Sequence, residues 1–264
     1  MASLAQIKIV LVEPAGPLNI GSVARVMKNM GLSQLVLVNP QCDPQCEEAR
    51  RMAVHGLEVL ESHQRVNSLP EALQGCQRAI ATTAKARNLE TPLETPRQAL
   101  PWLLTAPSAL IFGREDRGLS NEELNFAHRF VGIPAHADYT SLNLAQSVAI
   151  CSYELYQATL EPTPLDVTPP TAPYEQLEGY YQHLEKTLLN IQVLYPHTAQ
   201  ARMQKLRRLY QRSQLTSEEV ALLRGILGQV DWLWQHFSAN PSHHPQSMPS
   251  GRDDAPSPTI EMPH

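Results

Sequence analysis

Short apolar runs alternate with amphipathic stretches along the first half of the chain. Residues 8–14 (KIVLVEP), 35–40 (LVLVNP), 79–84 and 110–112 are nearly continuous aliphatic runs, as expected for strands that are covered on both faces. Between the first two runs, residues 20–30 place their apolar side chains on one helical stripe. A strand, a helix and a strand in this order predict a β-α-β unit with parallel pairing. The pattern therefore predicts an α/β fold with a mostly parallel sheet.

The helix of this first unit carries a candidate functional arginine. Asn19 is a good N-cap and Gly31 a good C′ residue, so we predict a helix between them. Val23 and Met27 lie on the stripe that should face the sheet, whereas Arg25 falls on another face, near the amino end. From this pattern alone, a solvated surface arginine is the simpler interpretation.

Residues 110–124 (LIFGREDRGLSNEEL) are the stretch around which the chain is organised. A buried strand ends at Gly113, and Gly113 and Gly118 bracket a polar loop. Ser120 and Glu123 have the spacing of a capping box, which predicts the start of a helix. Ligands of open α/β sheets bind beyond the carboxyl ends of the strands, so this loop is a natural binding site. An ordinary charged surface loop is the alternative.

Two further strand ends carry polar residues. Thr82 and Thr83 end the strand at 79–84, and their hydroxyls could bind a ligand. Residues 130–135 predict another strand, after which Thr140 or Ser141 is expected to cap a helix that continues to residue 160. The first turn of that helix would place hydroxyl, amide and backbone N–H groups beside the glycine loop.

The second half of the chain has a different character. Residues 161–173 contain five prolines and predict a semi-rigid linker. Residues 174–237 read as three helices, and residues 238–264, rich in Pro, Ser and His, predict a disordered tail. We therefore divide the chain into an α/β domain (1–160), the linker, a small all-α domain and the tail. Residues 202–212 contain several cations and no acid, so they form either a phosphate-contacting or a solvated face.

Composition narrows the classes of function. Hydrophobic residues make up 42% of the 264 residues, and no apolar run approaches the ~20 residues that a membrane span needs. The amino terminus does not have the organisation of a signal peptide, so we expect a cytoplasmic protein. The net charge of −5 argues against coating of nucleic acid by bulk charge, although it permits a local basic patch. Cys42 and Cys46 have no second pair of metal ligands nearby in sequence, so free thiols are expected and no metal site is predicted.

Three segments together resemble a known family. NIGSVARVMKNMG (19–31), LIFGREDRGLSNEEL (110–124) and IPAHADYTSLNLAQSVAIC (133–151) occur in the order and at about the spacing of the three motifs of the SpoU/TrmH branch of SPOUT RNA methyltransferases. The match covers residues 1–160. The helical region with MQKLRRLYQR and LLRGIL resembles that of the tRNA ribose methyltransferases in this branch. Lys85, where the family pattern has arginine, and the tail after residue 238 fit less well.

The resemblance implies a fold and a reaction. It implies transfer of a methyl group from S-adenosylmethionine to the 2′-hydroxyl of a ribose in tRNA, at nucleotide 32 of the anticodon loop, which is cytidine or uridine. It also implies a homodimer with sites near the subunit interface, and a trefoil knot in the carboxyl part of the α/β domain. General rules of topology would reject a knot, so this expectation rests on the resemblance alone.

The resemblance also implies roles for individual residues. Arg25 would lie at the reacting hydroxyl, with Ser141 and Asn143 completing the catalytic site. Arginine side chains stay protonated at ordinary pH and are poor bases, so we expect Arg25 to position the hydroxyl and the adjacent phosphate. The expected cofactor-binding residues are Thr82, Thr83, Ala84, Gly113, Ile133, Thr140, Ser141 and Leu142. The expected RNA contacts are Asn19, Lys85, Arg87, Arg114, Arg202, Lys205, Arg207 and Arg208.

Other functions are compatible with parts of this pattern. A SpoU/TrmH-type enzyme could act on another tRNA position or on rRNA, and a catalytically silent member could only bind RNA. A dinucleotide-dependent oxidoreductase would share the α/β pattern, but no G-x-G-x-x-G follows the first strand. Cofactor preference separates these classes, because only a methyltransferase should bind S-adenosylmethionine.

Overall fold

The computed structural model describes residues 4–84, 93–160 and 171–239. Its amino-terminal part is built around one sheet of seven strands in the order β3-β2-β1-β6-β4-β7-β5, and each neighbouring pair is parallel. The predicted α/β fold with a parallel sheet is thus confirmed. The strands are β1 (Ile7–Val12), β2 (Gln34–Val38), β3 (Gln64–Val66), β4 (Arg78–Thr82), β5 (Leu93–Glu94), β6 (Ser108–Phe112) and β7 (Arg129–Val131).

Helices cover both faces of this sheet. In β1, Ile9 and Leu11 point into one apolar cluster, and Val10 and Val12 point into the other. This alternation explains the unbroken aliphatic run, because both faces of the strand are buried. The helices of this part are α1 (Pro17–Asn29), α2 (Glu47–Ala53), α3 (Leu57–Glu61), α4 (Leu69–Ala72), α5 (Pro96–Ala99), α6 (Asn121–Leu124) and α7 (Leu144–Leu160).

Two helix starts differ from the prediction. Helix α1 begins at Pro17, with Gly16 as its N-cap, so the expected N-cap role of Asn19 is wrong. Proline fits the first turn of a helix because its missing N–H has no acceptor there. Helix α7 begins at Leu144, so neither Thr140 nor Ser141 caps it. Instead, the Asn143 side chain accepts hydrogen bonds from the N–H groups of Ala145 and Gln146, at 2.9 and 3.3 Å.

The apolar stripes of both helices lie where the sequence places them. Ile20, Val23 and Met27 of α1 are buried, and so are Val148 and Leu155 of α7. The two helices pack on the same face of the sheet, in the same apolar cluster. The carboxyl-terminal helices are α8 (Tyr174–Asn190), α9 (Pro196–Arg212) and α10 (Ser217–Ala239), and they share an apolar cluster of their own.

The carboxyl-terminal helices dock on the α/β part through direct hydrogen bonds. Tyr174 N donates to Cys76 O at 2.9 Å, and Gln211 Nε2 donates to Asn125 O at 2.6 Å. Most of the predicted linker (161–173) and of the predicted tail (238–264) lies outside the described residues, so these domain boundaries stay predictions. The trefoil knot also stays a prediction. In the part of the chain that the structure describes, no helix has the length and apolar character to span a bilayer.

Candidate active site

A cavity of about 340 Å³ lies at the carboxyl ends of β4, β6 and β7. The loop between Gly113 and Gly118 forms one wall, and the segment that leads into α7 forms another. All eight residues that the sequence proposes for cofactor binding line this cavity, although they come from four separate segments of the chain. They are Thr82, Thr83, Ala84, Gly113, Ile133, Thr140, Ser141 and Leu142.

The glycine loop folds tightly back on itself. Gly118 N donates to Arg114 O at 2.8 Å, and Gly118 has a φ of +68°, which favours glycine. A Cβ at position 113 would lie 2.7 Å from Gly118 O and closer still to Gly118 C and Leu119 N. This contact explains why residue 113 is a glycine. Gly113 is needed because the two ends of the loop touch.

Charged side chains fasten the loop to its surroundings. Arg117 donates to both oxygens of Glu123 and to Glu13, each at 2.9 Å, and these bonds raise the pKa of the guanidinium. Glu123 also forms the predicted capping box, in which Glu123 N donates to Ser120 Oγ at 3.1 Å. Burial would raise the pKa of the Glu123 carboxyl, but the hydrogen bonds from Arg117 and Ser120, together with the positive charge of Arg117, outweigh it and lower the pKa. These bonds fasten the loop to Glu13 after β1 and to the start of α6.

Glu115 is the central polar group of the site, and sequence reasoning did not single it out. Its carboxylate accepts hydrogen bonds from Asn19 Nδ2 at 2.9 Å, from Gly16 N at 3.0 Å and from Ala15 N at 3.1 Å. The Asn143 side chain in turn donates to Asn19 Oδ1 at 3.0 Å. Burial alone would raise the pKa of Glu115, but the bonds from Asn19 and the two N–H groups outweigh it and lower the pKa.

This network changes the interpretation of Asn19. Both ends of its side-chain amide are engaged, one by Glu115 and one by Asn143. Asn19 therefore joins the glycine loop to α1 and to the start of α7. Nothing in the local sequence around Glu115 indicates its partners, which lie 96 to 100 residues away along the chain.

Only two of the three proposed catalytic residues lie at the cavity of their own chain. Ser141 lines the cavity, and Asn143 is tied to Asn19 and so to the network beside the cavity. Arg25 is exposed on α1, with Gly56 packed against the backbone at its Cα, and it is not among the residues that line the cavity. Within a single chain, the structure thus brings together Ser141 and Asn143 but leaves Arg25 outside.

The predicted RNA-contacting cations also divide into two groups. Arg207 donates to both oxygens of Glu178, at 2.6 and 2.7 Å, and its guanidinium lies 4.5 Å from the centre of the Tyr181 ring. Arg208 Nε donates to Asn125 Oδ1 at 2.9 Å. These two arginines therefore hold helices together within the chain. Arg202 and Lys205 are exposed, Arg114 at the cavity wall pairs with Asp116 at 3.0 Å, and Lys85 and Arg87 lie outside the described residues.

Two family models match the chain. The model described as "SpoU rRNA Methylase family" matches residues 6–153, which include every strand and the whole cavity. The model described as "tRNA methyltransferase TrmJ, C-terminal domain" matches residues 175–242. The fold and the cavity are thus those of a SpoU-type methylase.

Individual relatives narrow this class. The tRNA (cytidine/uridine-2'-O-)-methyltransferase TrmJ of Pectobacterium atrosepticum is 43% identical over 236 residues, which cover 86% of this chain and 97% of the relative. The crystal structure of TrmJ from Z. mobilis ZM4 superposes with a TM-score of 0.77 at 31% identity, and the match covers 85% of this chain and 98% of that one. The chain therefore belongs to the TrmJ family of SpoU-type methylases.

A more distant solved structure has AdoMet bound. The AdoMet-bound rRNA methyltransferase from Sinorhizobium meliloti matches with a TM-score of 0.50 at 25% identity, over 59% of this chain and 57% of that one. The part of this chain that matches the Sinorhizobium structure is about as long as the α/β part, which contains the cavity.

Proposed function

We propose that this protein methylates the ribose 2′-hydroxyl of nucleotide 32 in the anticodon loop of tRNA, with S-adenosylmethionine as the methyl donor and cytidine or uridine as the base. One observation carries the proposal. Four segments of the chain, three of which lie within the family motifs at 110–124 and 133–151, converge on a single cavity, whose walls include all eight proposed cofactor residues. The names of the TrmJ relatives support tRNA as the substrate and the ribose 2′-oxygen as the methylated atom.

The cavity suits a nucleoside-sized ligand. Its volume of about 340 Å³ falls within the range of roughly 300–1,000 Å³ that is usual for small-molecule sites. Its walls combine apolar side chains such as Ile133 and Leu142 with the hydroxyls of Thr140 and Ser141. An adenosine and a methionine group could be held there by backbone and hydroxyl hydrogen bonds. When bound, S-adenosylmethionine supplies a methyl group that its sulfonium already makes electrophilic.

The protein must then orient the ribose hydroxyl, because correct placement of two reactants removes much of the barrier. Ser141 lies at the cavity wall, where its hydroxyl can contact the ribose. The hydrogen bonds from Glu115 through Asn19 orient the Asn143 side chain next to the cavity. Arg25 carries a fixed positive charge that can hold the hydroxyl and the adjacent phosphate.

We further propose that Arg25 acts in the site of a second subunit of a homodimer. In its own chain it lies on an exposed face of α1, away from the cavity lining. A two-fold dimer would bring the exposed face of one chain against the site of the other and complete both sites symmetrically. The exposed apolar side chains of α7, which include Ile150, Tyr153 and Leu160, suit such an interface.

The proposed RNA surface uses the cations that the chain leaves exposed. Arg202 and Lys205 of α9 are the proposed phosphate contacts, together with Arg114 at the cavity. Asn19, Arg207 and Arg208 bond to side chains in distant segments of the chain, so we assign them positioning roles instead. Arg114 and Arg202 bond only to nearby residues, Asp116 and Val193. Lys85 and Arg87 stay proposed contacts on the basis of their sequence positions.

Calorimetric titration tests the class of the site directly. We expect S-adenosylmethionine and its demethylated product to bind, and a nicotinamide dinucleotide not to bind. Ser141→Ala and Leu142→Glu, both at the cavity wall, should weaken binding, whereas Arg51→Ala on α2 should not. Binding of the dinucleotide in place of S-adenosylmethionine would contradict the proposal.

A further inference from the structure

Helix α6 connects the glycine loop to the carboxyl-terminal helices. Only Leu119 and the N-cap residue Ser120 separate Gly118, at the end of the loop, from the first residue of α6. Arg117 of the loop also donates to both oxygens of Glu123 in α6, at 2.9 Å each. The position of α6 therefore determines where the end of the loop lies.

Helix α6 is bonded to α9 at both of its ends. Gln200 Nε2 of α9 donates to Glu122 Oε1 at 2.7 Å. Arg208 Nε of α9 donates to Asn125 Oδ1 at 2.9 Å, and Gln211 Nε2 donates to the backbone oxygen of Asn125 at 2.6 Å. One short helix thus receives hydrogen bonds from the cofactor side and from the carboxyl-terminal side.

A helix of this length depends on its neighbours for its position. Isolated helices shorter than about 12 residues are marginal in water, and α6 consists only of Asn121–Leu124. Leu124 anchors it in the apolar cluster on one face of the sheet. Asn125 is only 4% exposed, so water competes little for the bond that its side chain accepts. The bonds from α9 therefore help to hold α6 in place.

We propose that Glu122, Asn125 and Gln200 are positioning residues of the cofactor cavity. Through them α9 holds α6, and α6 holds the wall that the glycine loop forms. This inference rests on the proposed function, because it treats the cavity as the site of S-adenosylmethionine. Arg202 and Lys205, the proposed phosphate contacts, belong to the same helix as Gln200. The same bonds thus set the distance between the proposed RNA surface and the cavity.

Calorimetric titration of the full-length protein with S-adenosylmethionine separates positioning from general stability. The double variant Gln200→Leu/Arg208→Met removes both side-chain bonds to α6, but it keeps the bond from Gln211 and the apolar part of each side chain. We expect the Kd to rise by about tenfold, with the stoichiometry unchanged. A purely structural role would lower the stoichiometry, because part of the protein would unfold, and would leave the Kd of the folded part unchanged.

The same replacements elsewhere on the carboxyl-terminal helices provide the control. Gln182→Leu/Arg224→Met alters exposed positions of α8 and α10 and should leave the Kd unchanged. An unchanged Kd in Gln200→Leu/Arg208→Met would overturn this inference and leave the proposed function standing. Absence of binding to the wild-type protein would overturn the proposed function, and this inference with it.

Exchange of the two residues in one pair tests the bond itself. Gln200→Glu places a second carboxylate against Glu122, so it should raise the Kd by about two- to fivefold. Adding Glu122→Gln restores a donor and an acceptor and should return the Kd to the wild-type value. Both positions are exposed, so the melting temperature should change little in either variant. Failure of the second replacement to restore binding would overturn the positioning role of this pair.

Discussion

Asn19 Nδ2 lies 2.9 Å from Glu115 Oε1 and joins two motifs that are 96 residues apart along the chain. Through its oxygen, Asn19 also receives a hydrogen bond from Asn143, at the start of α7. Three segments that resemble family motifs in sequence are thus connected in space by two hydrogen bonds. The carboxylate at the centre of this network fixes the wall of the proposed cofactor cavity relative to the proposed catalytic asparagine.

Replacement of this carboxylate should loosen the site. Glu115→Gln loses the negative charge that strengthens the hydrogen bonds from Asn19 and from the two backbone N–H groups. Its amide NH2 group would also face one of these three N–H donors, to which it cannot hydrogen-bond. We expect it to lower the free energy of unfolding by about 1–2 kcal/mol and to reduce methyl transfer. Urea denaturation and initial rates measure both effects. Asp116→Asn, on the neighbouring exposed residue, is the control and should change stability by less than about 0.5 kcal/mol.

The network also predicts a dependence of stability on acid. Because the folded protein lowers the pKa of Glu115, its contribution is present above the ordinary glutamate pKa and is lost as pH falls through the folded value. Glu115→Gln should therefore cost less stability at acid pH than at neutral pH. An equal cost at both pH values would contradict an ionised Glu115 as the centre of the network.

The two glycines of the loop should respond differently to alanine. Gly113→Ala places a Cβ against the backbone of Gly118 and Leu119, which cannot move without opening the loop. Gly118→Ala meets no atom of the described residues within 4 Å, so its cost comes from the positive φ, about 1 kcal/mol. We expect Gly113→Ala to abolish binding of S-adenosylmethionine, measured by calorimetry, and Gly118→Ala to keep most of it. The reverse order would show that the loop closes in another way.

The proposed sharing of a site between subunits predicts complementation. Arg25→Ala and Ser141→Ala should each abolish methyl transfer. Both variants should keep the fold, because Arg25 is exposed and Ser141 lies at the cavity wall. If Arg25 serves the site of its partner, mixed dimers contain one complete site. Co-refolding equal amounts should then restore about one quarter of the wild-type rate, as random pairing into two-fold dimers requires. No restored activity in verified mixed dimers would place Arg25 in the site of its own chain.

The exposed cations of α9, Arg202 and Lys205, should contribute to tRNA binding, whereas Arg207, which pairs with Glu178, should contribute to stability. The double variant Arg202→Ala/Lys205→Ala removes two proposed phosphate contacts, so it should weaken binding and reduce the slope of log K against log salt by about 2. Arg207→Gln should instead destabilise the fold, because it leaves Glu178 partly buried without its partner. Filter binding at several salt concentrations measures the slope. An equal slope change in both variants would contradict this division.

The sequence predicted the buried parts of the fold better than its edges. Strands β1, β2, β4 and β6 are covered on both faces, so their aliphatic runs are unmistakable. Strands β3 and β5 have three and two residues, too few for a periodic pattern. The Ser120–Glu123 capping box was predictable because both partners lie within one turn.

The residues that line the site could be predicted from the sequence, but the hydrogen bonds that connect them could not. The resemblance to the SpoU/TrmH branch identified the segments that line the cavity, and the structure brings them together. The N-cap role of Asn19 was assigned wrongly because helix α1 already begins at Pro17. Its bonds to Glu115 and Asn143 were not predictable because both partners are distant in sequence. The start of α7 was misplaced since Thr140, Ser141 and Asn143 are all good capping residues, and local preference does not choose among them. Arg207 has the sequence context of a phosphate contact, but its pairing with Glu178 depends on how α8 and α9 pack.

Methyl transfer with labelled S-adenosylmethionine and unmodified bulk tRNA, followed by nuclease mapping of the product, tests the central claim most directly. We predict label in a 2′-O-methylated cytidine or uridine at position 32 of the anticodon loop, and no label with the Ser141→Ala variant. Label at another tRNA position would contradict the assignment of the target nucleotide. Absence of label in tRNA, despite calorimetric binding of S-adenosylmethionine, would contradict the proposed substrate.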